Sequence, residues 1–239
     1  MGMPITIKTP HRDIVRPAFT KVFEFFRHVD EKYSPFIDTS DVAKINKQTL
    51  NESDYSPELL EIAHWANRTN HETNGYFNVW HNDIFDPSGI VKGWAIQKAS
   101  EIMSEYTRDF YIEAGGDIQV SGVNDKQQPW RIGVRNPFNR DENIRVVALD
   151  NHAIATSGTA IRGQHIYDPV SSKDLTDIVS LTVIAPKIID ADRMATAAFA
   201  MGRSGIEFIE KLADYEGYMV DSNKRAIATT GWNNFEAQS

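Results

Sequence analysis

Ile189-Asp190-Ala191-Asp192-Arg193-Met194-Ala195-Thr196-Ala197-Ala198-Phe199-Ala200-Met201-Gly202 is the stretch around which the chain is organised. It reads as a helix that starts with acid and ends on glycine. Asp190 is placed to cap the free N–H groups of the first turn, and Asp192 lies where the helix dipole favours negative charge. Gly202 suits the C′ position. Asp192 and Thr196 are four apart, so their oxygens share one face, one turn above the other. A carboxylate and a hydroxyl so placed are hard oxygen ligands of the kind Mg²⁺ takes, since that ion keeps room for water and phosphate. The plain alternative is a capped amphipathic helix with no ligand.

Working outward, the 239 residues suit one domain or two small lobes sharing a core. Hydrophobic residues make up 41% and charged ones 24%, a globular balance. The net charge of −8 argues against non-specific binding to nucleic acid or to an anionic membrane. No cysteine is present, which removes disulfides, thiolate metal sites and cysteine catalysis. No apolar run is long enough to span a bilayer. Met1–Lys8 lacks the basic and apolar regions of a leader, so a cytoplasmic location is expected.

Upstream, residues 3–8 suggest a short strand. Pro17 opens a helix to about Asp30 with Phe19, Val22, Phe23 and Phe26 at helical spacing. Ser40 or Thr39 caps a short helix from Asp41 to about Asn46, and Ser56-Pro57 starts another running to about Asn70. Residues 75–89 are irregular and lead into a helix from Val91 to about Tyr106. Short β runs follow at Phe110–Glu113, Ile118–Ser121, Trp130–Arg135, Ile144–Leu149, Ala153–Ala155 and Ile178–Ile184. After the organising helix come a second helix near 205–214 and a hairpin of Tyr218–Asp221 with Arg225–Ala228. Helices, then strands, then helices predict an α+β fold with a mixed or antiparallel sheet and flanking helices.

Several short stretches have the chemistry of a phosphate site. Gly115-Gly116-Asp117 joins two strands through paired glycines that let a ligand approach the backbone, with Asp117 ready to accept hydrogen bonds. Thr156-Ser157-Gly158 is rich in small donors that suit a phosphate. Arg162 follows, capable of a bidentate phosphate contact. His165 precedes Tyr167-Asp168-Pro169 and has the chemistry of a general base near neutral pH. Asp86-Pro87-Ser88-Gly89 with Lys92 sets Ser, Gly and Lys at a helix start, a natural anion site, although the phosphate-loop spacing is absent. Each stretch taken singly also reads as an ordinary turn or surface loop.

In order, these stretches resemble the ApbE-type FAD:protein FMN transferases. Thr39-Ser40-Asp41-Val42-Ala43-Lys44-Ile45-Asn46 is similar to that family's S-E-x-S-R-x-N stretch. The likeness continues through Gly75-Tyr76-Phe77, Val91-Lys92-Gly93-Trp94-Ala95, Gly115-Gly116-Asp117-Ile118, Gly122 and Pro129-Trp130-Arg131-Ile132-Gly133. It runs on through Thr156-Ser157-Gly158, His165-Ile166-Tyr167-Asp168-Pro169 and Asp192 to Gly202. Departures from the pattern are Met3 where Thr is usual, Asn78 where Asp is common, and Thr159-Ala160-Ile161 in place of a stretch that often carries Tyr.

The resemblance implies a single domain over 1–239, two-lobed, with FAD between the lobes. It implies cleavage of the FAD pyrophosphate, release of AMP, and FMN left in phosphoester linkage on a Ser or Thr of an acceptor flavoprotein. Mg²⁺ would be held by Asp192, Thr196 and the Gly89 carbonyl. FAD contacts would come from Ser40, Lys92, Gly115, Gly116, Asp117, Thr156, Ser157, Gly158, Arg162 and Asp168, with His165 as the base. FAD hydrolysis to FMN and AMP, and flavin binding without turnover, are the competing readings.

Overall fold

The computed structural model describes residues 2–11, 15–158 and 177–238. The elements run β1 (Ile5–Lys8), α1 (Arg16–Tyr33), α2 (Asp41–Asn46), α3 (Pro57–Glu72), β2 (Trp80–His81), β3 (Ile84–Phe85), α4 (Ser88–Ser104), β4 (Phe110–Ala114) and β5 (Asp117–Ser121). They continue with β6 (Trp130–Asn136), β7 (Asn139–Leu149), β8 (Ala153–Gly158), β9 (Ile178–Ala185), α5 (Ile188–Ala200), α6 (Ser204–Glu210), β10 (Glu216–Asp221) and β11 (Ala226–Ala228).

A seven-stranded sheet in the order β1-β4-β5-β8-β9-β10-β11 forms the centre, and every described pairing in it is antiparallel. One face packs on helices: Ile112, Ala155, Leu181, Val183 and Met219 meet Trp94 and Ile96 of α4 and Met194, Ala198 and Phe199 of α5. The other face is covered by the β6–β7 ribbon, where Trp130, Ile132, Val147 and Leu149 meet Tyr111, Val120, Ile154, Ile184 and Tyr218. The sheet thus carries an apolar layer on each face. This explains the sequence pattern: β9 is covered on both faces and is mostly apolar, β5 is equally buried although Asp117 and Gln119 alternate with its apolar residues, and β6 alternates buried and exposed. Among the described residues no helix is long and apolar enough to cross a membrane.

Side-chain caps set the starts of two helices. Ser40 Oγ accepts the Ala43 N–H at 3.0 Å and Ser56 Oγ the Leu59 N–H at 3.2 Å, starting α2 and α3 at the expected residues. Helix α4 begins three residues before Val91, because Asp86 Oδ1 takes the Ser88 N–H at 3.0 Å and so opens the helix early. Asp190 does not cap α5. The helix starts at Ile188, whose N–H is taken at 2.8 Å by the side-chain oxygen of Gln119 on β5, and the Asp190 carboxylate turns instead to Arg193. Gly202, with φ +61°, stands at C′ as expected.

Candidate active site

The sheet and two helices converge at one end of the molecule. β4 and β5 are joined by Gly115 and Gly116, with φ of +62° and +95°, a turn that glycine alone makes without strain. β8 runs antiparallel to β5 and brings Thr156 and Ser157 beside this turn. Helix α5 packs under β8 and β9, and α4 crosses α5 closely. The crossing depends on Gly93, where a Cβ atom would stand 2.9 Å from Asp192 Cβ and 3.1 Å from Ile189 Cα. Any larger residue would push the helices apart.

Asp192 is only 2% exposed. Its Oδ2 accepts the Gly93 N–H at 2.8 Å, and its Oδ1 lies 3.1 Å from Lys92 Nζ. Lys92 also pairs with Oδ2 of Asp117, a residue 1% exposed, whose Oδ1 accepts the Thr156 N–H at 3.2 Å. Two buried carboxylates therefore share one ammonium. Burial pushes the Asp192 carboxyl up, Lys92 pulls it down and neighbouring Asp117 pushes it up again, and together they raise it to about 7. One turn along α5, Thr196 Oγ1 is 3.4 Å from Ser157 Oγ, and Thr156 Oγ1 is 2.8 Å from Thr182 Oγ1.

These residues fit a hard divalent cation. Among the described residues no three His, Cys, Asp or Glu side chains gather into a cage. Mg²⁺ needs none, since one or two carboxylates plus water and phosphate suffice. A cation bound there would add positive charge beside two buried carboxylates that share the Lys92 ammonium. In a regular helix the Gly93 N–H bonds the Gly89 carbonyl four residues back. Asp192 competes for that hydrogen. Gly89 also stands beside Thr196, whose Cγ2 would lie 3.7 Å from a Cβ placed there.

Of the residues singled out in the sequence, Gly89, Lys92, Gly115, Gly116, Asp117, Thr156, Ser157, Gly158, Asp192 and Thr196 come from these converging segments. No described atom would lie within 4 Å of a Cβ at Gly116, so that side of the turn is open to a ligand. Gly158 is different: a Cβ there would stand 2.6 Å from the Val179 carbonyl, so its role is strand packing. Ser40 is fully buried, with its hydroxyl engaged as the α2 cap. Arg162, His165 and Asp168 lie outside the described residues. Met3, at the departure from the family pattern, packs on the Gly115 turn: a Cβ on Gly115 would be 2.7 Å from its sulfur.

Sequence reading missed Arg193. It is 2% exposed, pairs with Glu72 at the end of α3, and holds Asp190 Oδ1 through Nε at 2.9 Å and through its terminal nitrogen at 2.8 Å. Its guanidinium lies 5.5 Å from the Trp65 ring centroid. The i, i+3 spacing to Asp190 was readable, whereas the partner on α3 was not.

The fold is shared with solved flavin transferase structures. The Vibrio cholerae flavin transferase ApbE superposes with a TM-score of 0.84 over 98% of this chain and 96% of that one, at 20% identity. The ApbE protein of Thermotoga maritima gives 0.85 over 99% and 96%, also at 20% identity. The chain belongs to the ApbE family, whose sequence model matches residues 1–84 and 83–219. Curated relatives named FAD:protein FMN transferase include one from Vibrio cholerae, 30% identical over 128 residues, and one from Chlamydia pneumoniae, 33% identical over 123 residues. These matches cover 49% and 46% of this chain and span only 38% and 37% of the length of those relatives.

Proposed function

We propose that this chain is a Mg²⁺-dependent FAD:protein FMN transferase acting as one domain. The observation that carries the reading is the buried Asp192–Lys92–Asp117 cluster, with the Thr196 and Ser157 hydroxyls beside it and the β4–β5 turn open at Gly116. Family membership and the names of the curated relatives support it.

In this reading the FAD pyrophosphate lies against the Gly115–Gly116 turn and the Thr156-Ser157 donors. The Ser or Thr hydroxyl of an acceptor flavoprotein attacks the phosphorus of the FMN half. The new O–P bond forms as the bond to the AMP oxygen breaks. AMP leaves with that electron pair, and the hydroxyl proton passes to His165. Asp192, Thr196 and the Gly89 carbonyl would hold the cation, which when bound neutralises pyrophosphate charge. Lys92 keeps Asp117 and Asp192 apart and oriented. Most of the catalysis is positioning and electrostatics, as phosphoryl transfer requires. Arg162 and Asp168 belong to the same proposed flavin site, and the proposed location is the cytoplasm, tested by cell fractionation.

The test combines the protein, FAD, Mg²⁺ and a candidate acceptor, followed by in-gel flavin fluorescence of the denatured acceptor and measurement of AMP. Fluorescent acceptor with matching AMP release is expected. AMP without acceptor labelling would make the protein a FAD pyrophosphatase, and FAD held unchanged would make it a flavin-binding protein.

A further inference from the structure

We propose that Asn46 and Asn70 are positioning residues for the cation site, an inference that rests on the metal assignment above. The segment from Phe77 to Phe85 contains only the two-residue strands β2 and β3, paired with each other alone among the described residues. Side chains supply what a neighbouring strand would. Asn46 Oδ1 accepts the Phe85 N–H at 2.8 Å, and Asn46 Nδ2 donates to the Phe85 carbonyl at 3.0 Å. At the other end, Asn70 Nδ2 donates to the Phe77 carbonyl at 2.8 Å, and Thr73 Oγ1 accepts the Phe77 N–H at 3.1 Å.

Both anchored residues bear on Gly89. A Cβ there would lie 3.0 Å from Phe77 Cε2, so the Phe77 ring forms the floor under the first turn of α4. Phe85 runs directly into Asp86, which takes the Ser88 N–H and opens that helix. Asn46 closes α2 and Asn70 lies in the last turn of α3. The two asparagines thus fix, from two helices, where the Gly89 carbonyl stands relative to Thr196 and Asp192. Asn46 is largely exposed while Phe85 is buried, so the paired bonds serve the Phe85 main chain rather than the asparagine. The exposure also makes Asn46 replaceable without opening the core.

Asn46→Ala, Asn46→Asp and Asn70→Ala test this in the full chain. Two quantities are read: the Mg²⁺ concentration that half-saturates the site, fitted from the rise in Tm with metal concentration without flavin, and the FAD dissociation constant without metal. Loss of support behind a metal ligand weakens metal binding by about tenfold or more, and that shift is expected with FAD affinity unchanged. Asn46→Asp should match alanine, because its second oxygen faces the Phe85 carbonyl and cannot donate. Val22→Ala, a truncation in the α1 core, is the control for lost stability and should leave Mg²⁺ half-saturation in place. An unmoved half-saturation in the asparagine variants, or an equal shift in Val22→Ala, overturns the proposal. A wild-type protein that Mg²⁺ does not stabilise overturns it together with the metal assignment. Mg²⁺ stabilisation that weakens in the asparagine variants, while the wild type given FAD and a candidate acceptor neither labels the acceptor nor releases AMP, supports the clamp and overturns only the transferase reading.

Discussion

Replacing Arg193 by methionine removes the cation that straps α5 to α3 while keeping an apolar stem against Trp65. Deleting one member of a sealed ion pair costs about 3–5 kcal/mol. The stranded carboxylates here are not sealed: Glu72 is 34% exposed and keeps Arg68 at 2.8 Å, and Asp190 is 17% exposed. Solvent screening scales the cost to about 2–3 kcal/mol. For a chain of this size, about 2–4 °C per kcal/mol gives a fall in Tm of roughly 4–12 °C. Glu72→Gln should cost less, because Arg193 retains Asp190, and the double variant should cost less than the two singles added. Denaturant unfolding of the four proteins supplies the cycle. The pH dependence gives a second measure. Burial pushes the Glu72 carboxyl up, but hydrogen bonds from Arg193 and Arg68 outweigh it and hold the group below its usual value. The stability it contributes is therefore present above the unfolded carboxylate range and is lost as pH falls through the lower folded value. Arg193→Met should flatten that acid limb. Wild-type stability in Arg193→Met, or strictly additive effects with Glu72→Gln, would refute the strap.

Asp192→Ala should abolish Mg²⁺-dependent turnover and Mg²⁺ stabilisation; Asp192→Asn, which keeps the shape and drops the charge, should do the same, and wild-type activity at low Mg²⁺ in either would remove the assignment. His165→Ala should leave FAD affinity nearly intact and lower transfer by about 10²-fold or more, with loss of the acidic limb of the pH–rate profile; a collapse of affinity with the saturating rate kept would move the base elsewhere, Asp168 first. Gly93→Ala should overpack the α4–α5 crossing at a cost of about 1–3 kcal/mol and weaken Mg²⁺ binding through displacement of Asp192, as thermal unfolding with and without the ion would show.

What could be read from the chain follows the range of the interactions. Ser40, Ser56-Pro57 and Gly202 act within one helical turn, and the helices they bound were legible. The spacing of Asp192 and Thr196 on one helical face was equally local. The early start of α4 hid in the Asp86 side chain, which looked like part of a loop. The β2–β3 hairpin hid in an aromatic, turn-rich segment because its anchors, Asn46 and Asn70, sit on other helices. Lys92, a flavin contact by the family resemblance, also pairs with Asp117 and Asp192, residues brought to it only by the sheet and the helix crossing. Arg193 and Glu72 are 121 residues apart, beyond any local pattern.

The Gln119 side chain carries a consequence for how the molecule assembles. Its oxygen takes the Ile188 N–H, and its Nε2 donates to the Val120 and His152 carbonyls, each at 3.1 Å. One amide in a central strand thus ties together the start of α5, its own strand and the turn before β8. The partners of the Ile188 bond are 69 positions apart along the chain. The first turn of α5 therefore gains this bond only once β5 is in place, so the anchoring of the helix bearing Asp192 and Thr196 depends on long-range pairing. In native-state hydrogen exchange the Ile188 amide should then belong to the slowest class, opening only with the whole sheet.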